Sequence, residues 1–333
     1  MERKLKIALL LGGTSPEREV SKNTAKSILT ALRELEHQVI LVDPAYGLNQ
    51  PVYEYDYFSE KDYTQITNRN YLEIINSSLF DDIDLAFLAL HGRWGEDGII
   101  QSLLEMRGIK YTGSKILTSS LAMDKAMTKV IIQHFGVPTP QWLIADISEQ
   151  DYSHYPEKVK AQLGYPCVIK PNDQGSSVSL TICEKDEDVI PAILLALKYS
   201  DKALIERFIP GREITVAVLD GEALPVLEIV PKSGLYDYES KYTAGKSEYI
   251  VPAPMPEEVR NIIQEQAVKA FNAVGCKCYS RIDFRLTEQN KAYCLEINTL
   301  PGMTNLSLVP KAANAAGISF VELIDRIVKN AVK

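Results

Sequence analysis

Several features that would assign this chain quickly are missing. Across 333 residues no apolar run is long enough to cross a bilayer, and there is no internal repeat or low-complexity tail. No membrane insertion is therefore expected, and no repeat architecture. The common nucleotide fingerprints are missing too. The glycine pair at 12–13 is not part of G-x-G-x-x-G, and G-x-x-x-x-G-K-[ST] does not occur, so neither a dinucleotide site nor a P-loop is supported. Cysteine is sparse, at five residues. Cys276 and Cys278 form a C-x-C too small for a zinc site. Cys167, Cys183 and Cys294 sit in apolar runs and are expected to be buried thiols. An odd count with no secretory leader points to a reducing cytosol, so a cytoplasmic location is expected. Basic charge is in deficit, with 36 Lys and Arg against 44 Asp and Glu and a net charge of −8. That balance argues against nucleic acid as the partner but leaves local nucleotide binding open.

What is present is ordinary in bulk and specific in detail. Hydrophobic residues make up 46% and charged residues 24%, as in most globular proteins, and the length calls for two or three domains. The most organised stretch runs from Tyr279 to Met303. Y-S-R-I-D-F-R-L and A-Y-C-L-E-I-N alternate polar and apolar residues around the polar turn T-E-Q-N-K, the pattern of a hairpin of half-buried strands. Arg281, Asp283 and Arg285 then share one face of the first strand, and Glu296 and Asn298 share one face of the second. Such a face is either simply solvated or serves a ligand. Carboxylate and amide oxygens gathered this way suit a hard cation such as magnesium, particularly one carried by phosphates.

The first third of the chain reads as α/β. K-I-A-L-L-L at 6–11 is a buried strand, followed by Gly12, Gly13 and the charged trio Glu17, Arg18, Glu19, then a helix over 21–35. Glu17 or Glu19 either holds an ammonium group or caps that helix. Strands are expected at 37–42 and at 85–90, the second running into H-G-R-W-G-E-D-G at 91–98. This places polar groups at the carboxyl edge of a parallel sheet, where ligands bind in open α/β folds. His91 there is either a structural residue or a substrate contact. A short strand at 109–111 should close the first domain near residue 118.

Residues 121–135 read as one helix with Lys125 and Lys129 on a shared face. Lys170 ends a strand. The loop N-D-Q-G-S-S-V-S at 172–179 is either a plain turn or a flap whose N–H and hydroxyl groups cover phosphates. After a helix over 185–199, a strand with Glu206 and another opened by Glu213 frame an apolar linker. That frame suits adenine, with carboxylates for its amine and for the ribose hydroxyls. A strand over 223–230 carries Glu228. The polar, aromatic segment 233–246 reads as an active-site loop in which Lys241 meets phosphate and Tyr242 faces substrate. A helix is expected over 257–274.

Taken in order, the motifs carry a family. G-G-T-S-P-E-R-E-V-S (12–21), H-G-R-W-G-E-D-G (91–98), Y-T-G-S (111–114), M-D-K (123–125) and K-P-N-D-Q-G-S-S-V (170–178) lead to Y-D-Y-E-S-K-Y (236–242), R-I-D (281–283) and E-I-N-T-L-P-G-M-T (296–304). From about residue 6 to 325 this set closely resembles the D-alanine–D-alanine ligase family of the ATP-grasp superfamily. The resemblance implies an ATP-grasp fold, α/β and α+β, with a Rossmann-like N-terminal domain. The division would be 1–118, 119–210 and 211–333. It implies ATP-dependent joining of two D-alanines through a D-alanyl phosphate, for peptidoglycan precursor synthesis, by a cytoplasmic homodimer.

By position, Asp283, Glu296 and Asn298 look like ligands of two Mg²⁺ ions, for which Mn²⁺ can substitute. Lys125, Lys170 and Lys241 resemble the phosphate and nucleotide lysines, Glu206 and Glu213 the adenine and ribose carboxylates, and Ile209 the hinge residue whose backbone meets the base. Glu17 resembles the residue holding the first ammonium, and Ser176 and Tyr242 the hydrogen-bonded pair beside the substrates. Arg281 and the Gly302 N–H resemble the oxyanion contacts, Ser307 the contact to the second carboxylate, and His91 the active-site histidine. Leu300 departs from the family pattern, which usually has a small polar residue there. The tyrosine loop 236–242 argues for an amine as second nucleophile, against the related ligases that take D-lactate; a ligase joining D-alanine to D-lactate or D-serine is the alternative.

Overall fold

Three β-sheets order the chain, each grown from a different residue pattern. The computed structural model describes residues 3–175, 179–231, 246–304 and 307–333. The first sheet is parallel, in the order β2-β1-β3, with β1 Lys6–Leu10, β2 Gln38–Val42 and β3 Leu85–Leu88. β3 is buried along its whole length and β1 beyond Lys6, as expected of strands covered on both faces. Helix α1 (Arg18–Glu34) joins β1 to β2, its stripe of Ala25, Ile28, Leu29 and Leu32 turned to the core. It begins a turn earlier than its apolar pattern suggests. Two short helices, α2 (Glu54–Tyr57) and α3 (Asn70–Asn76), lie before β3, and α4 (Ile99–Arg107) after it.

The strand expected at 109–111 reduces to one parallel bridge, Ala86 to Tyr111. The next rung is taken over by a side chain, because Leu88 N–H donates to Thr112 Oγ1 at 3.0 Å. The helix expected over 121–135 is two helices, α5 (Ile116–Met123) and α6 (Lys125–His134). Asp124 separates them. Its backbone is extended and its carboxylate accepts from the Met127 N–H at 3.0 Å, so it caps α6 and makes Lys125 the first helical residue.

The second sheet is antiparallel, in the order β4-β7-β5-β6: β4 Trp142–Asp146, β5 Cys167–Pro171, β6 Thr181–Cys183 and β7 Lys202–Arg207. Helices α7 (Tyr155–Gln162) and α8 (Asp186–Ala196) cover it. α7 lies in a stretch that reads only as polar sequence, because it buries just Tyr155 and Val159.

The third sheet runs β11-β10-β8-β12-β13, with β9 paired to β8. Its strands are β8 Arg212–Leu219, β9 Glu222–Ala223, β10 Leu227–Pro231, β11 Ser247–Ile250, β12 Tyr279–Leu286 and β13 Ala292–Asn298. Helix α9 (Glu257–Val274) packs across it, with Glu257 and Glu258 in the first turn and a left-handed Gly275 at the end. Helices α10 (Leu308–Ala315) and α11 (Phe320–Val332) follow, and α11 lies against α1. All five cysteines are free and buried. Among the described residues no helix is long and apolar enough to cross a membrane.

Candidate active site

The hairpin of β12 and β13 is where its sequence pattern puts it, with one addition. Arg281 faces Asn298 and Asp283 faces Glu296, but Phe284 faces Cys294, so Leu295 is an extra residue on β13. Ala292 and Cys294 point into the core. Unbroken alternation from them would carry Glu296 to the same side. The bulge switches the frame, and Glu296 and Asn298 join Arg281 and Asp283 on the partly exposed face.

Asp283 is held from two directions. Arg281 donates to both carboxylate oxygens, Nε to Oδ1 at 2.9 Å and a terminal nitrogen to Oδ2 at 2.8 Å. Thr215 on β8, directly across the sheet, donates its hydroxyl to Oδ1 at 2.6 Å. Lys125 reaches the same face, with Nζ 3.6 Å from Glu296 Oε2 and 2.7 Å from the Gln174 carbonyl. Asn298 Oδ1 accepts from the Leu300 N–H at 3.1 Å. The donors this face offers a cation are all oxygens, which suits magnesium. Among the described residues no three His, Cys, Asp or Glu side chains close on a metal by themselves. The set therefore fits a cation that brings phosphate oxygens with it.

A second charged group lies on β5, β7 and α6, beside the hairpin. Glu206 on β7 is buried between two lysines, Oε1 2.6 Å from Lys170 Nζ and Oε2 2.9 Å from Lys129 Nζ. Burial alone would raise the Glu206 pKa, but the charges of Lys129 and Lys170 outweigh it and hold the carboxyl at about 2. Farther along, Glu213 lies 3.5 Å from Arg285, whose Nε donates to the Ile209 carbonyl at 3.1 Å.

The third group is built by loops at the carboxyl edge of the parallel sheet. Ser15 fixes the first, its hydroxyl donating to the His91 carbonyl at 2.7 Å and accepting from the Glu17 N–H at 3.0 Å. The trio at 17–19 separates. Arg18 turns inward to Asp43 and Asp62 at 2.7 and 2.8 Å, Glu19 pairs with Lys22, and Glu17 faces the site. Glu17 stands at the N-cap position of α1, but its side chain makes no capping hydrogen bond. A Cβ on Gly92 or Gly175 would lie 2.9 or 3.0 Å from its Oε2, so both backbones lie close to the carboxylate, and Gly92 has in addition a φ of +68° that favours glycine. His91 bridges Thr24 Oγ1 at 3.0 Å and Glu96 Oε1 at 3.3 Å. Burial would lower its pKa, but the hydrogen bond and charge of Glu96, with the charge of Glu17, hold it above the ordinary histidine value. Gly302 packs against Ser307, whose Oγ accepts from the Thr304 N–H at 2.9 Å.

Nine of the expected residues fall into three groups, while Ile209 and Glu213 each meet Arg285 and Gly302 meets Ser307. Arg281, Asp283, Glu296, Asn298 and Lys125 meet on the hairpin face, Lys170 and Glu206 meet beside it, and Glu17 and His91 meet at the loop edge. Ser176, Lys241 and Tyr242 lie outside the described residues. Three further contributors carry weak signals in the sequence. Thr215 alternates with Glu213 on β8, Glu96 lies within the 91–98 motif, and Lys129 stands one turn beyond Lys125.

Comparison with known proteins agrees along the whole chain. Residues 6–114 match the family described as D-ala D-ala ligase N-terminus, and residues 131–329 match D-ala D-ala ligase C-terminus. The chain is 42% identical over 326 residues to a D-alanine–D-alanine ligase of Syntrophotalea carbinolica, covering 98% of this chain and 96% of that one. It is 40% identical over 334 residues to that of Halalkalibacterium halodurans, covering 99% and 100%. Among solved structures, D-alanine–D-alanine ligase from Bacillus anthracis superposes with a TM-score of 0.79 at 31% identity, covering 98% of this chain and 97% of that one. The same enzyme complexed with ATP gives 0.77 at 29% identity, with the same coverage.

Proposed function

Because the chain belongs to the D-alanine–D-alanine ligase family, whose fold is the ATP-grasp fold, we propose that it joins two D-alanines into D-alanyl-D-alanine, releasing ADP and phosphate, for peptidoglycan precursors. One observation carries the residue assignments: the hairpin face with Arg281, Asp283 and Glu296 shares a site with Lys125. A group that handles phosphate charge thereby adjoins an arginine able to meet an acyl oxygen. The depsipeptide-forming alternative is not favoured, since the relatives compared are D-alanine–D-alanine ligases.

In the first step the carboxylate of one D-alanine attacks the γ-phosphorus of ATP, and ADP leaves with the bond pair. Two anions must approach, so Lys125 and Lys170, together with Lys241, supply positive charge around the phosphates. Asp283, Glu296 and Asn298 would hold two magnesium ions, with manganese as a substitute, adding further neutralisation of phosphate charge. Glu17 holds the ammonium of this first D-alanine, and Glu206, Glu213 and the Ile209 backbone hold the nucleoside.

In the second step the ammonium of the other D-alanine gives up a proton, to the network around Ser176 and Tyr242 or to a phosphate oxygen, and the resulting amine attacks the acyl carbon. Charge collects on the carbonyl oxygen, where Arg281 and the Gly302 N–H stabilise it, and phosphate then departs with the electron pair. Ser307 meets the carboxylate of this second substrate, and His91 keeps the 91–98 loop joined to α1 through Thr24. Ser176 and Tyr242 complete the closure with Glu17, because an acyl phosphate must be kept from water.

In this reading the chain divides near residues 118 and 210, works in the cytoplasm and pairs as a homodimer. The test is phosphate release from ATP with D-alanine, L-alanine, D-serine or D-lactate as substrate, with the product identified by mass. Release dependent on D-alanine, with the dipeptide as product, is expected. With D-lactate added beside D-alanine, the D-alanyl ester as the main product would overturn the substrate assignment.

A further inference from the structure

Lys129 has no place in the steps above, yet it is one of the most enclosed charges in the chain. It sits on α6 four residues beyond Lys125 and is 0% exposed. Its ammonium has three protons to place. It donates to Thr139 Oγ1 at 2.8 Å and to the Pro140 carbonyl at 3.3 Å, and its remaining side faces Glu206 Oε2 at 2.9 Å. The Trp142 ring lies 5.6 Å away on the flank. Thr139 is anchored in turn, its hydroxyl donating to the Cys294 carbonyl at 2.8 Å. An ammonium with no open face and its protons directed to fixed partners is not available to a nucleotide. What it can do is hold the carboxylate it faces.

Glu206 shows the other half of the arrangement. Lys170 takes Oε1 at 2.6 Å, leaving Oε2 to Lys129. Oε2 is buried with Lys129 at 2.9 Å on one side and no second donor among the described residues on the other. A carboxylate oxygen so placed keeps acceptor capacity, and leaving it unfilled is costly. The group that fills it has to be a donor. The two lysines also differ in character. Lys170 ends a strand and retains some exposure, 11% of its side chain, whereas Lys129 has none. Lys170 can therefore exchange Glu206 for a phosphate, and Lys129 is the partner that stays.

We propose that Lys129 is a positioning residue that fixes Glu206 as the acceptor for the exocyclic amine of adenine, and so sets the preference for ATP over a nucleotide with oxygen at that ring position. The proposal rests on the assignment of Glu206 to the adenine site made above. It also gives α6 two tasks, Lys125 at the phosphate end and Lys129 at the base end, separated by one helical turn.

The test compares ATP with inosine triphosphate, which replaces the amine by a carbonyl oxygen. Lys129→Met is expected to raise KM for ATP roughly tenfold, as loss of one buried charged partner implies, while kcat stays within about twofold and KM for inosine triphosphate is unchanged. Thr139→Val loosens the lysine without leaving a buried charge unpaired. It should move the ratio in the same direction by less, and it serves where Lys129→Met does not fold. The double variant Lys129→Met/Glu206→Gln removes both charges and separates the two ideas. If it keeps the wild-type ATP preference, the adenine assignment of Glu206 fails. If it loses that preference while Lys129→Met and Thr139→Val both keep it, Lys129 does not act through Glu206 and the proposal fails. Equal losses for both nucleotides in the single variants would also overturn it, marking the lysine as a packing residue only.

Discussion

Arg281 grips Asp283 with two parallel hydrogen bonds, 2.9 Å from Nε and 2.8 Å from a terminal nitrogen. In the proposed ligation the two groups have different partners, a cation for Asp283 and an acyl oxygen for Arg281. The grip must then loosen as the metal–nucleotide complex enters. Arg281→Met leaves Asp283 with Thr215, so Mn²⁺ should bind more tightly without nucleotide, as titration calorimetry would show. D-Alanine-dependent ADP release should fall by about 10²–10³-fold, the usual scale for losing an oxyanion donor.

Asp283→Ala and Glu296→Ala should each reduce ligation below about 1% of wild type, in keeping with the several kcal/mol a bound metal supplies. The fold should survive, because both side chains line a partly exposed face. Circular dichroism with a coupled ADP assay checks both points. A chelator should stop turnover in the unaltered protein without changing its spectrum, and added Mg²⁺ should restore it. Normal turnover in either variant would remove the metal assignment.

Asp124 does two jobs, capping α6 at the Met127 N–H and accepting from Asn172 Nδ2 at 2.8 Å. Asp124→Ala should cost about 1–2 kcal/mol of stability, the range for losing an N-cap. It should also raise KM for ATP, since Lys125 is the first residue of the helix that the cap starts. Thermal melting and steady-state kinetics measure the two effects separately.

Glu206 predicts an acid limb of stability. Its carboxyl sits at about 2 when folded, against about 4.3 for a free glutamate. A depressed carboxylate pKa contributes stability that is complete above the unfolded value and is lost as pH falls towards the folded one. Urea unfolding measured from pH 5 down to 2.5 should therefore show a slope that Glu206→Gln flattens, even though that variant is less stable throughout.

The sequence carried the hairpin, the apolar strands and the helix over 257–274, because strong local periods and turn residues leave few alternatives. It did not carry the break at Asp124, where cap chemistry overrides a continuous helical pattern, nor α7, which buries too little to register a period. Of the site, Arg281, Asp283, Glu296 and Asn298 share one face of the hairpin, as pattern reading expects. The pairing of Lys129 with Glu206 was not legible, because the two lie far apart in sequence and meet only when α6 packs beside β7. For Thr215 the sequence shows only its alternation with Glu213; its role is fixed by its register opposite Asp283.

The extra residue in β13 makes pairing register, not only residue identity, part of the chemistry. Deleting Leu295 would leave Cys294 opposite Phe284 and Glu296 opposite Asp283, but drawing it into the ladder as an ordinary paired residue would carry Glu296 and Asn298 to the side of Ala292 and Cys294. One carboxylate and one amide would then be driven among apolar side chains while Asp283 faced the opening alone. Relatives of this enzyme should therefore vary freely in what stands at 295, or lack that residue, while keeping Glu296 paired opposite Asp283. A one-residue gap there would keep the site face intact, whereas a one-residue slip in pairing would bury it without changing any motif.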